Sequence, residues 1–204
     1  FAKSDTLPLG RYTIRETKAP MFYSAAAQPI EAEIEFSGQI VRIEVLNQSV
    51  YTNVSVSKRG YKQVTPSQTI RYDFKNIANN STVPLNSFYW RDTLPTSAVR
   101  LTKIVTGTWN QRLSYIVYKT NLHDYRTLAD NLSTMKNYSL DASSAALGLA
   151  SNEYVTDFMF VFGTVKAGFA QVDAPYIFCW TNSWLNNGYQ FTNRTDVGGL
   201  HGGQ

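Results

Sequence analysis

The sequence predicts an all-β protein, on three observations. Tyr, Phe, Val, Ile and Thr favour half-buried pleated surfaces, and aromatic residues alone make up 14% of the chain. Apolar and polar residues alternate along many short runs broken by Gly, Pro and Ser, the period of antiparallel strands. Helical spacing is pronounced in one place only, where Leu128 and Leu132 sit four apart. Hydrophobic residues at 43% and charged residues at 17% supply a core and exclude a disordered tail.

The elements follow in order. Tyr12 and Ile14 alternate with Thr13 and Arg15, and Ala32, Ile34 and Phe36 alternate with Glu31, Glu33 and Glu35. After a turn at Ser37 and Gly38, Val41, Ile43 and Val45 alternate with Arg42 and Glu44. These strands are too few for a closed sandwich, and a sheet this small is marginal alone. A second series begins near Tyr51 and includes 54–58, 70–77, 88–93, 99–106 and 115–119. Asp124–Met135 reads as a helix, and Ala142–Ala150 as a short helical turn. Strands resume at 154–162, 169–172 and 176–180, with a last one at 189–195. The glycines of 198–203 read as a flexible linker. The expected organisation is therefore residues 1–50, residues 51–197 and a tail, 198–204.

The net charge is +4 and the basic residues are scattered, which argues against nucleic-acid binding. The single cysteine, Cys179, excludes an internal disulfide. That usage fits a cytosolic protein or a Gram-positive surface protein. No apolar run is long enough to span a membrane, and no signal peptide or C-terminal anchor signal is recognisable. Phe1–Gly10 does not read like a natural start, so a fragment of a longer protein is expected.

Residues two apart on a strand share a face. Val54 and Val56 are followed on their face by Lys58, Phe88 and Trp90 by Asp92, and Tyr189 and Phe191 by Asn193. Three apolar rows thus end in a lysine, a carboxylic acid and a carboxamide. A buried lysine tends to lose its proton and become a nucleophile. A buried Asp tends to keep its proton and can donate it to a carbonyl oxygen. Those types suit attack of Lys58 on the Asn193 carboxamide, with loss of ammonia. For any one of the three rows taken alone, the commoner reason to end in a polar group is that the strand is reaching solvent. In the first segment Glu16 follows Tyr12 and Ile14, and Asn47 follows Ile43 and Val45, without a lysine on a preceding strand. Lys3 is a weak candidate, and a surface Glu and a turn Asn explain that pair equally well.

Two family resemblances enter at these residues. Gly10, Tyr12, Ile14, Glu16, Ala19 and Pro20 fall on the pattern G-x-Y-x-(aliphatic)-x-E-x-x-A-P. It resembles that of Cna B-type domains of Gram-positive pilins and adhesins, although Met21-Phe22-Tyr23 replaces the usual Gly-Tyr. The resemblance implies the C-terminal half of such a domain. In it Glu16 assists and Asn47 accepts an isopeptide bond, from a lysine on a strand preceding Phe1. Residues 51 onward resemble the Cna A-like, immunoglobulin-like isopeptide domain. The carriers are Val54–Lys58, Tyr72–Ile77, Phe88–Pro95 and Tyr189–Asn193. There the resemblance implies Lys58 as nucleophile, Asp92 as catalytic acid and Asn193 as acceptor.

The expected fold is thus an immunoglobulin-like β-sandwich with a short helical insertion, preceded by a partial Cna B-type β-domain. Residues 122–150 look like the insertion. The implied function is a stalk segment of a pilin or adhesin, extracellular and anchored to a Gram-positive cell wall, with neighbouring domains or pilus subunits as partners and no cofactor. The rival is a carbohydrate- or host-matrix-binding sandwich with Trp109, Trp180 and Trp184 as a stacking platform. An enzyme acting on an outside substrate is not supported. His123 and His201 are far apart, no metal spacing is present, and Gly163–Gly168 lacks the spacing of a phosphate loop.

Overall fold

A computed structural model describes residues 3–20, 23–26, 28–121 and 124–202. The chain divides into two compact units, Phe1–Tyr51 and Thr52–Gln204.

In the smaller unit β1 (Gly10–Ile14), β2 (Tyr23–Ser24), β3 (Ile30–Ile34) and β4 (Gln48–Ser49) form two antiparallel pairs, β1 with β3 and β2 with β4. Alternation sets the β1–β3 register: Tyr12 faces Ala32 and Ile14 faces Ile30, while Thr13 donates a 2.9 Å hydrogen bond to Glu31 on the other face. The strand expected at Val41–Val45 is absent. Residues 39–47 have no partner strand, and Val41, Ile43 and Val45 remain 36–40% exposed. Alternation alone does not make a strand, because the ladder needs a second chain segment to receive its N–H and C=O groups.

The larger unit is an all-β, immunoglobulin-like sandwich of two five-stranded antiparallel sheets. Its strands are β5 (Val54–Arg59), β6 (Thr69–Asn79), β7 (Leu85–Thr93), β8 (Val99–Val105), β9 (Ser114–Thr120), β10 (Arg126–Ser133), β11 (Ser139–Asp141), β12 (Asp157–Val165), β13 (Tyr176–Thr181) and β14 (Arg194–Leu200). One sheet runs β10-β9-β12-β7-β14 and the other β11-β8-β13-β6-β5. Aromatic rings from both inner faces fill the space between: Trp90 lies 4.7 Å from Phe74 and from Phe160, and 5.5 Å from Phe158, measured between centroids. All four are fully buried. The first strand, β5, and the last, β14, are edge strands of opposite sheets and lie against each other.

The helical insertion is not present; no helix occurs among the described residues. Asp124–Met135 instead contains β10, an edge strand paired to β9 through two irregularities, at Thr127/Ala129 and Ala129/Leu132. The irregularities, with Asn131 at φ 49°, shift the parity. Leu128 and Ala129 are half-buried, Asp130 and Asn131 exposed, and Leu132 buried, so a bulged strand imitates a helical spacing. Ala142–Ala150 forms tight turns, including a 3.0 Å bond from Leu147 N to Ser143 O, and no helix. Leu122 and His123 lie outside the described residues, as do Met21 and Phe22.

The last strand lies further along the chain than expected. Tyr189–Asn193 is not in a strand, and Gly198, Gly199 and Leu200 belong to β14 rather than to a tail. A Cβ on Gly198 would lie 2.8 Å from Cε1 of Tyr89, so this glycine serves close approach, not flexibility.

Gly107 carries the tightest backbone constraint, with φ at +68° and a would-be Cβ only 2.3 Å from the Asp173 carbonyl oxygen. Gly107→Ala is therefore expected to lower the unfolding free energy by about 2–4 kcal/mol, read by urea denaturation, since strain and a backbone clash add.

Candidate functional site

The site forms where the two sheets meet at the β5/β14 edge. Lys58 reaches it from β5. It pairs with Phe74 on β6, an inward-facing core residue, so its side chain is on the core side. The β5–β6 ladder shifts between Ser55 and Ser57, where Asn76 adopts φ 57° on β6; beyond the shift Lys58 still follows Val56 inward. The Lys58 ammonium sits 5.0 Å from the Phe74 ring centroid and 5.1 Å from that of Tyr72.

Asp92 ends the inward row of Phe88 and Trp90 on β7, and all three are fully buried. Lys58 Nζ donates to Asp92 Oδ1, an ion pair whose side chains are 12% and 0% exposed. Burial lowers the Lys58 pKa, against the pull of the Asp92 charge. Burial likewise raises the Asp92 carboxyl to about 6, against the attraction and hydrogen bond of Lys58 and a weaker contribution from Asn193. Each partner is thus shifted toward its neutral form, because desolvation outweighs the pairing.

Asn193 lies just before β14, where Thr195 pairs with Asp92. Its carboxamide is close enough to act on the Asp92 carboxyl. Yet Nδ2 and Oδ1 of Asn193 and Oδ2 of Asp92 are all buried without a well-formed hydrogen bond. Buried polar groups are nearly always satisfied, so these three orphaned atoms leave polar capacity unused beside the ion pair. The structure therefore brings Lys58, Asp92 and Asn193 to one carboxyl group, although Asn193 arrives from a loop and not from the strand that parity suggested.

Two further residues hold this geometry. The Trp90 indole N–H donates a 2.9 Å bond to Thr195 Oγ1, which donates a 2.8 Å bond to the Arg91 carbonyl. This bolt pins β14 to β7 two residues beyond Asn193. Extending the same face from Asn193 by two would have found Thr195 in the sequence; the Trp90 partner required the register. Cys179, fully buried on β13, lies near enough to act electrostatically on Lys58 and Asp92, and burial pushes its thiol well above the ordinary range.

In the smaller unit Glu16 and Asn47 are also brought together. Asn47 Nδ2 donates a 2.9 Å bond to Glu16 Oε1, and Glu16 Oε2 accepts a 2.8 Å bond from the Ala26 N–H. Asn47 Oδ1 is buried without a partner. Of the tryptophans weighed as a platform, Trp109 is 1% exposed and stacked on Phe169 in the core, whereas Trp180 and Trp184 are 45% and 54% exposed. His201 Nδ1 lies 3.3 Å from the Pro84 carbonyl, and Gly163 is part of β12.

Thr195→Val keeps the shape but removes the acceptor for Trp90, and is expected to cost about 1–3 kcal/mol in urea unfolding; Thr195→Ser is expected to recover most of that loss. No protein-family model, curated protein or solved structure significantly matches the chain. The reading of the site therefore stands on the geometry of its own residues.

Proposed function

We propose that the larger unit is a structural module that cross-links itself, joining Lys58 Nζ to Cγ of Asn193 as an amide. The observation that carries the reading is the Asp92 carboxyl, which meets both the lysine and the carboxamide in a buried site. A proton passes from Lys58 to Asp92, leaving a neutral amine. The amine attacks Cγ of Asn193 while protonated Asp92 donates to Oδ1. The tetrahedral intermediate collapses as its C–Nδ2 bond breaks. Asp92 carries a proton from the former lysine nitrogen to Nδ2, which leaves as ammonia, and the Oδ1 proton returns to Asp92 as the carbonyl reforms, so the products are the amide, ammonia and a protonated acid. Folding holds the reactants together, so no outside substrate or cofactor is needed.

The bond would close a loop from residue 58 to residue 193 between the edge strands of opposite sheets. In the chain-entropy description a loop of that length is worth about 5 kcal/mol. Tension applied at the two ends of the unit would pass through the amide and bypass residues 59–192. The proposed role is accordingly a stalk segment of a pilin or adhesin at a Gram-positive cell wall, with the cross-link standing where a one-cysteine chain has no disulfide. The short motifs that resemble Cna A-like and Cna B-type domains support the same role.

The acid and carboxamide of the smaller unit favour a second, related reading. Glu16 and Asn47 already touch, and Asn47 Oδ1 is orphaned, so this unit is proposed to accept a lysine on a strand supplied by a preceding segment or another chain. Incubation with a pool of Val/Ile-rich, lysine-bearing strand peptides is expected to yield a covalent adduct that Glu16→Ala abolishes. Absence of any adduct contradicts this reading.

The intact mass of the larger unit is expected to fall short of the sequence sum by one ammonia. Asp92→Ala is expected to restore it and to lower the melting temperature. A mass equal to the sequence sum in the folded wild type overturns the proposal. The rate of ammonia loss when newly made, still unlinked chain is first allowed to fold should also depend on pH. Below about pH 6 Asp92 is neutral while Lys58 holds its proton, so no nucleophile is present and the rate falls as pH falls. Above that range the pair holds one proton between them, and the rate reaches a plateau until high pH strips the acid.

A further inference from the structure

The outer face of the β11-β8-β13-β6-β5 sheet is independent of the cross-link site. On β13, Ile177, Cys179 and Thr181 point inward and are fully buried, so Tyr176, Phe178 and Trp180 form an outward row. Alternate strand residues are roughly 6.8 Å apart, so the row is about 14 Å long. The ladder places Asp73 and Arg71 beside Tyr176 and Phe178 on one flank, and Lys103 and Arg100 beside Phe178 and Trp180 on the other. Arg59 pairs with Asp73, Lys75 with Ser57, and Asp141 with Lys103, so these side chains share the outer face. Five cations stand against two carboxylates, an excess of three where the whole chain carries +4.

The ring geometry selects the kind of anion. Bases of a single-stranded nucleic acid stack on a succession of open ring faces. Here the Arg71 guanidinium lies 3.7 Å from the Tyr176 centroid and covers that face, and Tyr176 meets Phe178 edge-on at 5.6 Å and 87°. Trp180, 45% exposed, is left as the open ring of the row. A single open indole amid spaced cations suits a chain of sugar rings bearing acid groups: a C–H face packs on the indole, and the acids meet Lys75, Lys103 and Arg59.

We propose that this sheet face binds an acidic polysaccharide, with Trp180 as the packing contact and Lys75 and Lys103 as charge contacts. The proposal concerns a different face from the cross-link and does not depend on it.

The test uses the full 204-residue chain and heparin as the probe, with neutral dextran and an oligothymidylate as comparisons, titrated over a salt series. Heparin binding that weakens with salt is expected, without binding to dextran. The double charge reversal Lys75→Glu/Lys103→Glu is expected to weaken it by at least about tenfold and to flatten the salt dependence. Trp180→Ala is expected to weaken it by about fivefold with the salt slope unchanged. The matched reversal Lys136→Glu/Lys166→Glu, at exposed positions outside the strands of this sheet, is expected to change it less than about twofold. Intact mass read on the same wild-type sample separates this outcome from that of the cross-link. Equal loss in both double reversals shows only the pull of net charge and overturns the proposal. So does tighter binding to the oligothymidylate, or no heparin binding at low salt.

Discussion

The buried carboxyl of Asp92 is the constraint on which the edge of the larger unit depends. It lies at the end of an aromatic row, fully excluded from water, where an isolated carboxylate would cost several kcal/mol. Lys58 answers it from the opposite sheet. A sandwich has no hydrogen-bonded ladder between its sheets, so at the β5/β14 edge this polar contact couples them where backbone bonding cannot. The same burial moves both groups toward neutrality, and a neutral amine beside a protonated acid is the pairing that amide formation requires. The need for a partner and the shift of both groups toward neutrality thus have one cause, desolvation.

Much of the fold was legible because side-chain alternation follows directly from burial on one face. Lys58 and Asp92 were found this way, since β5 and β7 keep their parity up to those residues. Asn193 was reached by the same rule although its segment is a loop, so its carboxamide is buried without the strand that the rule assumes. Alternation misled where spacing and partner part company. Val41–Val45 has the pattern but no neighbouring strand, and the irregular pairing of β10 turned a two-residue period into an apparent period of four. The glycines at 198–199 were read as flexible because composition does not show Tyr89 lying across them. Register also hid the Trp90–Thr195 bolt, which joins residues more than a hundred positions apart.

Each unit sets an acid close to a carboxamide. In the larger one an acid, a carboxamide and a lysine converge from three chain segments. In the smaller one the acid and carboxamide touch, and the half-exposed apolar residues Val41, Ile43 and Val45 precede the carboxamide in the chain, outside any strand. Orphaned carboxamide oxygens at both places, Asn47 Oδ1 and Asn193 Oδ1, link the units more closely than any similarity of their strands. A module closed by its own amide and a second one open to a strand would suit a chain whose work is to bear load between neighbours.

The most direct measurement is peptide mapping of the folded protein after tryptic digestion. The account predicts a branched peptide in which Lys58 Nζ is bonded to the side chain of residue 193, with one nitrogen lost and no cleavage after Lys58. Recovery of two linear peptides, cut after an unmodified Lys58 and carrying an intact Asn193, would contradict it.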